Sequence, residues 1–308
     1  MAASVVVLLS TYNGEKYINE QIDSIFNQEF DGIINVLIRD DGSSDETVNI
    51  LRQCPQYGTG ELMLNTAHNV GPQKSFLKLI QEVDDKYDYY FFSDQDDIWD
   101  DNKIKAAVDS LKTISTPAIS CCNYRLTDSE LNVVLERSIE QKPSFTPIRN
   151  LLYNEIPGCC MALNKPLMDK LKEIQIDNVM MHDSMALLLA TYIGEVVYDE
   201  TPRICHRIHG ANVVGTGHKK IIPAKWIKEK WHLLRNGDDY DISKLAGEVL
   251  RVAGADGKQE YTKDLELLRD FKNSFGETLE LLRHPDTKGN PFDRTVMSIR
   301  SKILFHVF

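Results

Sequence analysis

The chain has 308 residues, of which 42% are hydrophobic and 26% are charged, and it carries a formal net charge of −11. That length is enough for one large α/β domain and a smaller appendage. The excess of acidic residues argues against a general nucleic-acid-binding protein, whose surface would be basic. The chain has no run of about 18 consecutive apolar residues, so we expect no transmembrane helix.

The six cysteines include two adjacent pairs but no C-x-x-C motif. Neither a zinc site nor a disulfide framework is therefore predicted, and buried thiols are typical of a reducing compartment. The N-terminal apolar run is short and lacks a basic leader, which predicts a first strand and not a signal peptide. We expect a cytoplasmic location on these grounds.

Short apolar strands alternate with amphipathic helices along most of the chain. Strands are predicted at residues 4–9, 33–38, 62–65, 89–92, 118–122 and 195–198. Helical spacing predicts helices at residues 15–26, 44–51, 74–83, 103–112, 164–174 and 184–192, the second with Ser44 as its N-cap. This alternation is typical of an α/β fold with a mostly parallel sheet.

Polar residues follow three of the predicted strands at the point where each strand ends, at Ser10, Asp40 and Asp94. The carboxyl ends of parallel strands share one edge of a sheet, where open α/β folds place their ligands. Neither the dinucleotide fingerprint nor the P-loop motif occurs in the chain. We therefore expect a polar crevice of another kind at this edge.

The most informative stretch is YYFFSDQDDIW at residues 89–99, in which four aromatic residues lead into three carboxylates. Three carboxylates at one strand end repel one another and need a counter-charge. The simplest source is Mg²⁺ or Mn²⁺, itself bridging to phosphates. The alternative is a solvated acidic turn that caps the next helix, because acidic residues are favoured at helix starts.

The composition changes towards the C-terminus. Residues 204–217 are polar and glycine-rich, which is typical of a mobile lid, and helices are predicted at 241–253, 258–283 and 294–308. Two tryptophans, Trp226 and Trp231, lie among the lysines between Lys219 and Arg235. This pattern is typical of a helix on a membrane surface, and equally of one packed on the catalytic domain or a second subunit. We predict a catalytic domain over 1–217 and a helical domain over 218–308.

Seven short segments occur in order along the first 215 residues. They are LLSTYNG at 8–14, IRDDGSSDET at 38–47, NVGPQKSF at 69–76, SDQDDIW at 93–99, IPGCCMALN at 156–164, MHDSMALLLA at 181–190 and RIHGANVVG at 207–215. Together they resemble the family-2 glycosyltransferases with the GT-A fold, in particular the bacterial rhamnosyltransferase-like branch.

The resemblance implies a metal-dependent inverting glycosyltransferase that builds a bacterial surface polysaccharide. Its donor would be a nucleotide-diphosphate sugar, with dTDP-rhamnose suggested by the branch and a UDP-hexose as the rival within the family. Its acceptor would be a glycan or a polyprenyl-linked glycan. These acceptors make a peripheral location on the inner face of the membrane plausible, and a homodimer remains open.

The resemblance also assigns the reacting and metal-binding groups. Asp183 would be the base that takes a proton from the acceptor hydroxyl, and the alternative is an N-cap of the helix at 184–192. Asp96 would bind Mn²⁺ or Mg²⁺ directly, and Asp94 would lie near the ribose or the metal. His209 would complete the metal shell or contact the diphosphate.

A further set of residues is assigned to the donor nucleotide by the same resemblance. Its members are Ser10, Thr11 and Tyr12 as a platform for the nucleobase, Asp41 as the acceptor of a pyrimidine N3–H, and Asn69, Lys74, Gln95 and Arg207. The alternatives are core packing for Tyr12, a turn carboxylate for Asp41 and a solvated helix residue for Lys74.

Two readings from other classes remain. A sugar nucleotidyltransferase would also be α/β with acidic metal ligands, but it usually carries a basic, glycine-rich loop after the first strand, and residues 10–14 contain no Lys or Arg. A non-catalytic module that binds nucleotide or glycan is disfavoured because Asp96 and Asp183 are both present.

Overall fold

The computed structural model describes residues 2–152, 154–175, 181–209 and 242–287. The predicted helices at 219–235 and 294–308 therefore lie outside the described residues, and so does most of the glycine-rich segment at 204–217. Within the described ranges, no helix is both long and apolar enough to cross a bilayer.

A mixed sheet forms the centre of the structure. Its strands are β1 (Ser4–Thr11), β2 (Ile33–Asp40), β3 (Leu62–Thr66), β4 (Tyr89–Ser93), β5 (Ile98–Trp99), β6 (Ala118–Thr127), β7 (Val133–Leu135), β8 (Met161–Asn164) and β9 (Glu195–Arg207). Their order is β3-β2-β1-β4-β8-β6-β9-β5, and β7 pairs with β6. Strands β3, β2, β1 and β4 are parallel, whereas β8 is antiparallel to β4 and β6.

Helices flank this sheet. They are α1 (Ile18–Phe26), α2 (Thr47–Gln53), α3 (Pro55–Thr59), α4 (Pro72–Glu82), α5 (Lys103–Leu111), α6 (Pro147–Leu152), α7 (Lys165–Lys172), α8 (His182–Ile193), α9 (Ile242–Ala253), α10 (Gln259–Asp270) and α11 (Phe275–Arg283). Helix α7 shows a clear start signal, because the side chain of Asn164 accepts a hydrogen bond from the N–H of Leu167 (3.2 Å).

The core is continuous from the sheet to the C-terminal helices. Residues 5–9 of β1 are fully buried, as expected for a strand covered on both faces. Burial of a large aliphatic side chain contributes roughly 1.5–3 kcal/mol. Ile242, Leu245 and Val249 of α9 belong to the same core. The ammonium of Lys258 also donates to the carbonyl of Thr191 on α8 (2.9 Å), so the described part of the C-terminal region packs against α8.

The predicted α/β fold is confirmed, but one strand was predicted too short. Residues 195–198 were expected to form a strand and 204–217 a lid, yet β9 continues to Arg207. It pairs with β6 over its length and with β5 near its end, and these ladders satisfy the backbone in spite of Pro202 and several charged residues. The lid prediction is therefore wrong for residues 204–207, and 210–217 lie outside the described residues.

The start of the second helix was also predicted wrongly. Helix α2 begins at Thr47 after the N-cap Glu46, and Ser44 is not its cap. The N–H of Ser44 instead donates to Oδ1 of Asn13 (2.9 Å), while Oδ1 of Asp40 accepts from the N–H of Ser43 (3.0 Å). These contacts fold residues 41–46 into a loop beside the end of β1.

Candidate active site

The carboxyl ends of β1, β2 and β4 lie side by side because these strands are parallel. Thr11 at the end of β1 is opposite Asp40 at the end of β2, and Leu9 is opposite Ser93 at the end of β4. The acidic loop, residues 94–97, therefore emerges beside the loop that follows β1. The expected convergence of these strand ends is confirmed.

Gln95 joins these two loops. Its Oε1 accepts hydrogen bonds from Oγ1 of Thr11 (2.7 Å) and from the N–H of Tyr12 (2.8 Å). A Cβ atom on Gly14 would lie 2.4 Å from that oxygen, which explains the glycine. Tyr12 is 48% exposed, so the core-packing alternative is wrong and its ring is accessible at this edge.

A buried polar chain organises the ends of β1 and β2. The hydroxyl of Ser10 donates to Oγ of Ser75 on α4 (2.6 Å), which also accepts from Nη1 of Arg39 (3.1 Å). The same guanidinium nitrogen lies 2.5 Å from Oδ1 of Asp41, and both charged side chains are about 96–97% buried. Ser10 is half-buried, and its hydroxyl is bonded to Ser75, a residue that the sequence analysis did not single out.

Asp41 is also bonded to the backbone of the next loop. Its carboxylate accepts from the N–H of Val70 (2.9 Å) and of Gly71 (2.8 Å), in addition to Arg39. Both carboxylate oxygens therefore have donors within the protein, and Asp41 fixes the loop before α4. Asn69 and Lys74 flank this loop with exposed side chains.

The acidic loop carries crowded negative charge. Burial and the charges of Asp97 and Asp96 raise the pKa of Asp94 to about 7. Burial and the charge of Asp97 also raise the pKa of Asp96, although His209 opposes this rise. Burial and the neighbouring carboxylates therefore disfavour the charged forms of Asp94 and Asp96.

The acidic loop is not a solvated helix cap. Asp96 and Asp97 are buried, and α5 follows its N-cap Asn102, five residues further on. Nε2 of His209 lies 2.6 Å from Oδ2 of Asp96, so these predicted metal ligands are hydrogen-bonded to each other. The structure thus brings Asp96 and His209 into contact, and Asp94 lies two residues before Asp96 in the same loop.

Asp97 anchors the acidic loop to β9. Its Oδ1 lies 2.8 Å from Nδ1 of His206 and accepts from the N–H of Arg207 (3.2 Å). Burial raises the pKa of Asp97, but His206, Cys159 and the N–H of Arg207 together hold it below its usual range. Oδ2 of Asp97 is buried and has no hydrogen-bond partner among the described residues. Asp94, Asp97, Cys159 and His206 also offer ligand atoms within 4.8 Å of one another.

Arg207 is the last residue of β9 and not part of a lid. It is 3% exposed, and its guanidinium donates to the carbonyls of Asp96 (2.9 Å) and Ser129 (2.9 Å) and to Oε2 of Glu20 (2.6 Å). These acceptors hold the guanidinium against the acidic loop. The structure therefore gives Arg207 a part in fixing that loop, which the sequence did not indicate.

Asp183 lies in the first turn of α8. The N-cap of this helix is Met181, so the predicted N-cap role of Asp183 is wrong. Burial raises the pKa of Asp183 to about 6, although the hydrogen bond from the N–H of Ser184 (2.5 Å) opposes this. The charge of Asp183 also contributes to the raised pKa of Asp94, so the two carboxylates are within electrostatic range of each other.

His182, beside Asp183, is packed in an aromatic environment. Its ring stacks on Phe76 at 3.7 Å and meets Phe92 edge-on at 4.5 Å. Burial lowers its pKa to about 3, so the ring is neutral. A Cβ atom on Gly158 would lie 2.4 Å from Nε2 of His182, which makes glycine necessary at that position.

Comparison with known proteins decides the family. The model of the family described as "Glycosyl transferase family 2" matches residues 6–171. The chain belongs to glycosyltransferase family 2. It is 31% identical over 263 residues to the dTDP-rhamnosyl transferase RfbG of Shigella flexneri, covering 78% of this chain and 88% of the relative. An uncharacterized glycosyltransferase of Rickettsia prowazekii, RP339, is 25% identical over 70% of this chain and 68% of its own length.

Solved structures support the GT-A fold. Staphylococcus aureus TarS 1-349, in complex with UDP-GlcNAc, is similar with a TM-score of 0.57 at 15% identity, over 99% of this chain and 82% of that chain. The mannosyltransferase PcManGT of Pyrobaculum calidifontis, in complex with GDP-Man and Mn²⁺, gives a TM-score of 0.51 at 17% identity. The match covers 99% of this chain and 88% of that chain. At these identities the likeness concerns the fold alone.

Several residues of this family-2 glycosyltransferase that shape the site were missed in the sequence. Glu20 and Ser75 bond to Arg207 and Arg39, and His206 pairs with Asp97. Glu20 and Ser75 lie on helices whose partners are far away in the chain, so no local pattern marks them. His206 is next to Arg207 and three residues before His209, and this local cluster is the signal by which His206 could have been found.

Proposed function

We propose that the protein is a metal-dependent, inverting glycosyltransferase that moves L-rhamnose from dTDP-rhamnose to a glycan or lipid-linked glycan acceptor of a bacterial surface polysaccharide. The observation that carries the proposal is the packing of His182, next to Asp183, against Phe92, one residue before the end of β4 and two before the acidic loop. The donor is suggested by the relative named as a dTDP-rhamnosyl transferase.

Asp183 supplies the base in this proposal. With a pKa of about 6 it is mostly ionised at neutral pH and still basic enough to accept a proton. The acceptor oxygen forms a bond to the anomeric carbon while the bond from that carbon to the diphosphate oxygen breaks. The electron pair leaves with the nucleoside diphosphate, and the hydroxyl proton passes to the Asp183 carboxylate. Attack from the face opposite the diphosphate inverts the anomeric centre.

The residues present fit a divalent cation. Carboxylates suit Mg²⁺ and Mn²⁺, and the imidazole of His209 favours a transition-metal ion such as Mn²⁺. The pKa values of Asp94 and Asp96 are raised first by burial and then by neighbouring carboxylates, and a bound cation would lower both. Asp96, His209 and Asp94 would hold the ion, which would offset the negative charge that develops on the departing diphosphate. PcManGT, which shares the fold, was solved with Mn²⁺.

The loops after β1 and β2 supply the nucleotide site. The accessible ring of Tyr12 offers a stacking surface for the base, and Gln95 keeps the neighbouring backbone in place. Asn69 and Lys74 are exposed at the border of this site, where Lys74 can meet a phosphate. Asp41 acts on this site by holding the loop, since its oxygens already have donors.

The setting of the reaction belongs to the same proposal. A polyprenyl-linked acceptor would place the enzyme in the cytoplasm at the inner face of the membrane. The basic segment at 219–235 would contact lipid there or pair with a second copy of the chain, and it lies outside the described residues.

A donor panel tests the proposal. Full-length protein is incubated with Mn²⁺, a lipid-linked glycan acceptor and dTDP-rhamnose, UDP-glucose, UDP-GlcNAc or GDP-mannose in turn. We expect sugar transfer from dTDP-rhamnose and release of dTDP, and the anomeric configuration of the product should be inverted. Transfer from a UDP-hexose alone would contradict the donor assignment, and a retained configuration would contradict the role of Asp183.

A further inference from the structure

Two side chains at the start of helix α1, Tyr17 and Glu20, contact the end of β9, and we call this pair the clamp. The ring of Tyr17, the N-cap of α1, stacks on the imidazole of His209 with centroids 4.9 Å apart and planes 29° apart. The guanidinium carbon of Arg207 lies 4.3 Å from the centroid of the same ring. Tyr17 is only 8% exposed, so the ring is enclosed between its neighbours.

A carboxylate on the same helix completes the clamp. Glu20 follows Tyr17 by three positions and therefore lies on the same face of α1. Its Oε2 accepts from Nη2 of Arg207 at 2.6 Å, and the acidic loop accepts from Nε of Arg207 through the carbonyl of Asp96 at 2.9 Å. Arg207 is thus fixed between α1 and the loop that carries the predicted metal ligands.

His209 depends on such support because it lies beyond the end of the strand. The backbone ladder continues to Ile208, whose N–H donates to the carbonyl of Thr127 (2.8 Å). Beyond that point the imidazole is oriented by its contact with Asp96 and by the face of Tyr17. A histidine that binds a metal is held in the right orientation by residues that contact its ring. Mutation of such supporting residues commonly lowers metal affinity by about 10–100-fold.

We propose that Tyr17 and Glu20 are positioning residues that orient His209 and the acidic loop for Mn²⁺, a role that rests on the proposed function. The clamp is also continuous with the nucleotide platform. The N–H groups of Tyr17 and Ile18 both donate to the carbonyl of Gly14 at 3.0 Å, so the loop after β1 leads directly into the clamp. Metal and nucleotide sites therefore share one short segment of chain.

The test measures Mn²⁺ affinity by calorimetry, using the full chain saturated with dTDP. Tyr17→Leu removes the aromatic face, and we expect the Kd for Mn²⁺ to rise about tenfold or more. Tyr17→Phe keeps the face and should remain within about twofold of the wild type. Tyr87→Leu is the matched control. Like Tyr17, Tyr87 is buried and has a lysine ammonium over its ring, but it lies just before the amino end of β4, at the opposite end of the strand from the acidic loop.

Wild-type affinity in Tyr17→Leu would overturn the inference, and so would an equal loss in Tyr17→Phe. If Tyr17→Leu does not fold, Glu20→Ala serves instead, because Glu20 is half exposed and its removal should weaken Mn²⁺ binding without unfolding the chain. Unchanged Mn²⁺ affinity in that variant would then overturn the inference. Failure of the wild type itself to bind Mn²⁺ with dTDP would count against the proposed function, a distinguishable result.

Discussion

The two halves of the site differ in how their charges are balanced. In the half that we propose for the nucleotide, Arg39, Asp41 and Ser75 form a buried hydrogen-bonded network. In the acidic half, the pKa values of Asp94 and Asp96 are raised by burial and by the charge of the neighbouring Asp97. The charges of the first half are paired within the protein, whereas in the second half burial and neighbouring carboxylates disfavour the charged forms, and there we propose a bound cation. A network of paired charges and a cluster of carboxylates with raised pKa values thus lie at the same edge of the sheet.

The largest effect should come from Asp183, the proposed base in the first turn of α8. Asp183→Asn cannot accept the acceptor proton, so we expect kcat to fall by about 10³-fold with donor binding retained. Wild-type kcat/KM should fall below about pH 6, because the base becomes protonated there. Steady-state assays from pH 4.5 to 8, with Asp169→Asn on the exposed face of α7 as control, measure both effects. Wild-type turnover in Asp183→Asn would remove Asp183 from the role.

A smaller effect, on stability, should come from the hydrogen-bonded network of the other half. Arg39→Met leaves the carboxylate of Asp41 buried without its cationic partner, and we expect the free energy of unfolding to fall by about 3 kcal/mol. Urea unfolding without metal measures this loss. Arg52→Met, an exposed arginine on α2, should change the free energy by no more than about 0.5 kcal/mol. A loss no larger than that of the control would contradict this charge pairing.

The strand ends and the acidic loop could be predicted because their signals are local. Runs of β-branched and aromatic residues mark β1, β2 and β4, and the residues after them lie at one edge of any parallel sheet. Asp94 and Asp96 could be assigned to this edge for the same reason. Local sequence was sufficient for the position of these carboxylates, though not for their partners.

The partners of these carboxylates could not be predicted because they come from distant segments. Residues 199–207 contain Asp199, Pro202 and Arg203, a composition that favours a loop, yet ladders to β5 and β6 keep them in a strand. That strand delivers His206 to Asp97. The sequence analysis assigned Asp41 to the N3–H of a pyrimidine nucleobase. Its donors within the protein are Arg39 and the loop 29 residues further on, and these contacts are visible only in three dimensions.

The most direct measurement is the thermal unfolding of the full chain with dTDP, with and without Mn²⁺. At about 100 times its Kd, Mn²⁺ should stabilise the wild type by about 2.7 kcal/mol. Asp31→Asn, at an exposed position before the amino end of β2, should keep this stabilisation, and Asp96→Asn should lose it. Equal Mn²⁺-dependent stabilisation of the wild type and Asp96→Asn would show that the acidic loop does not hold the cation.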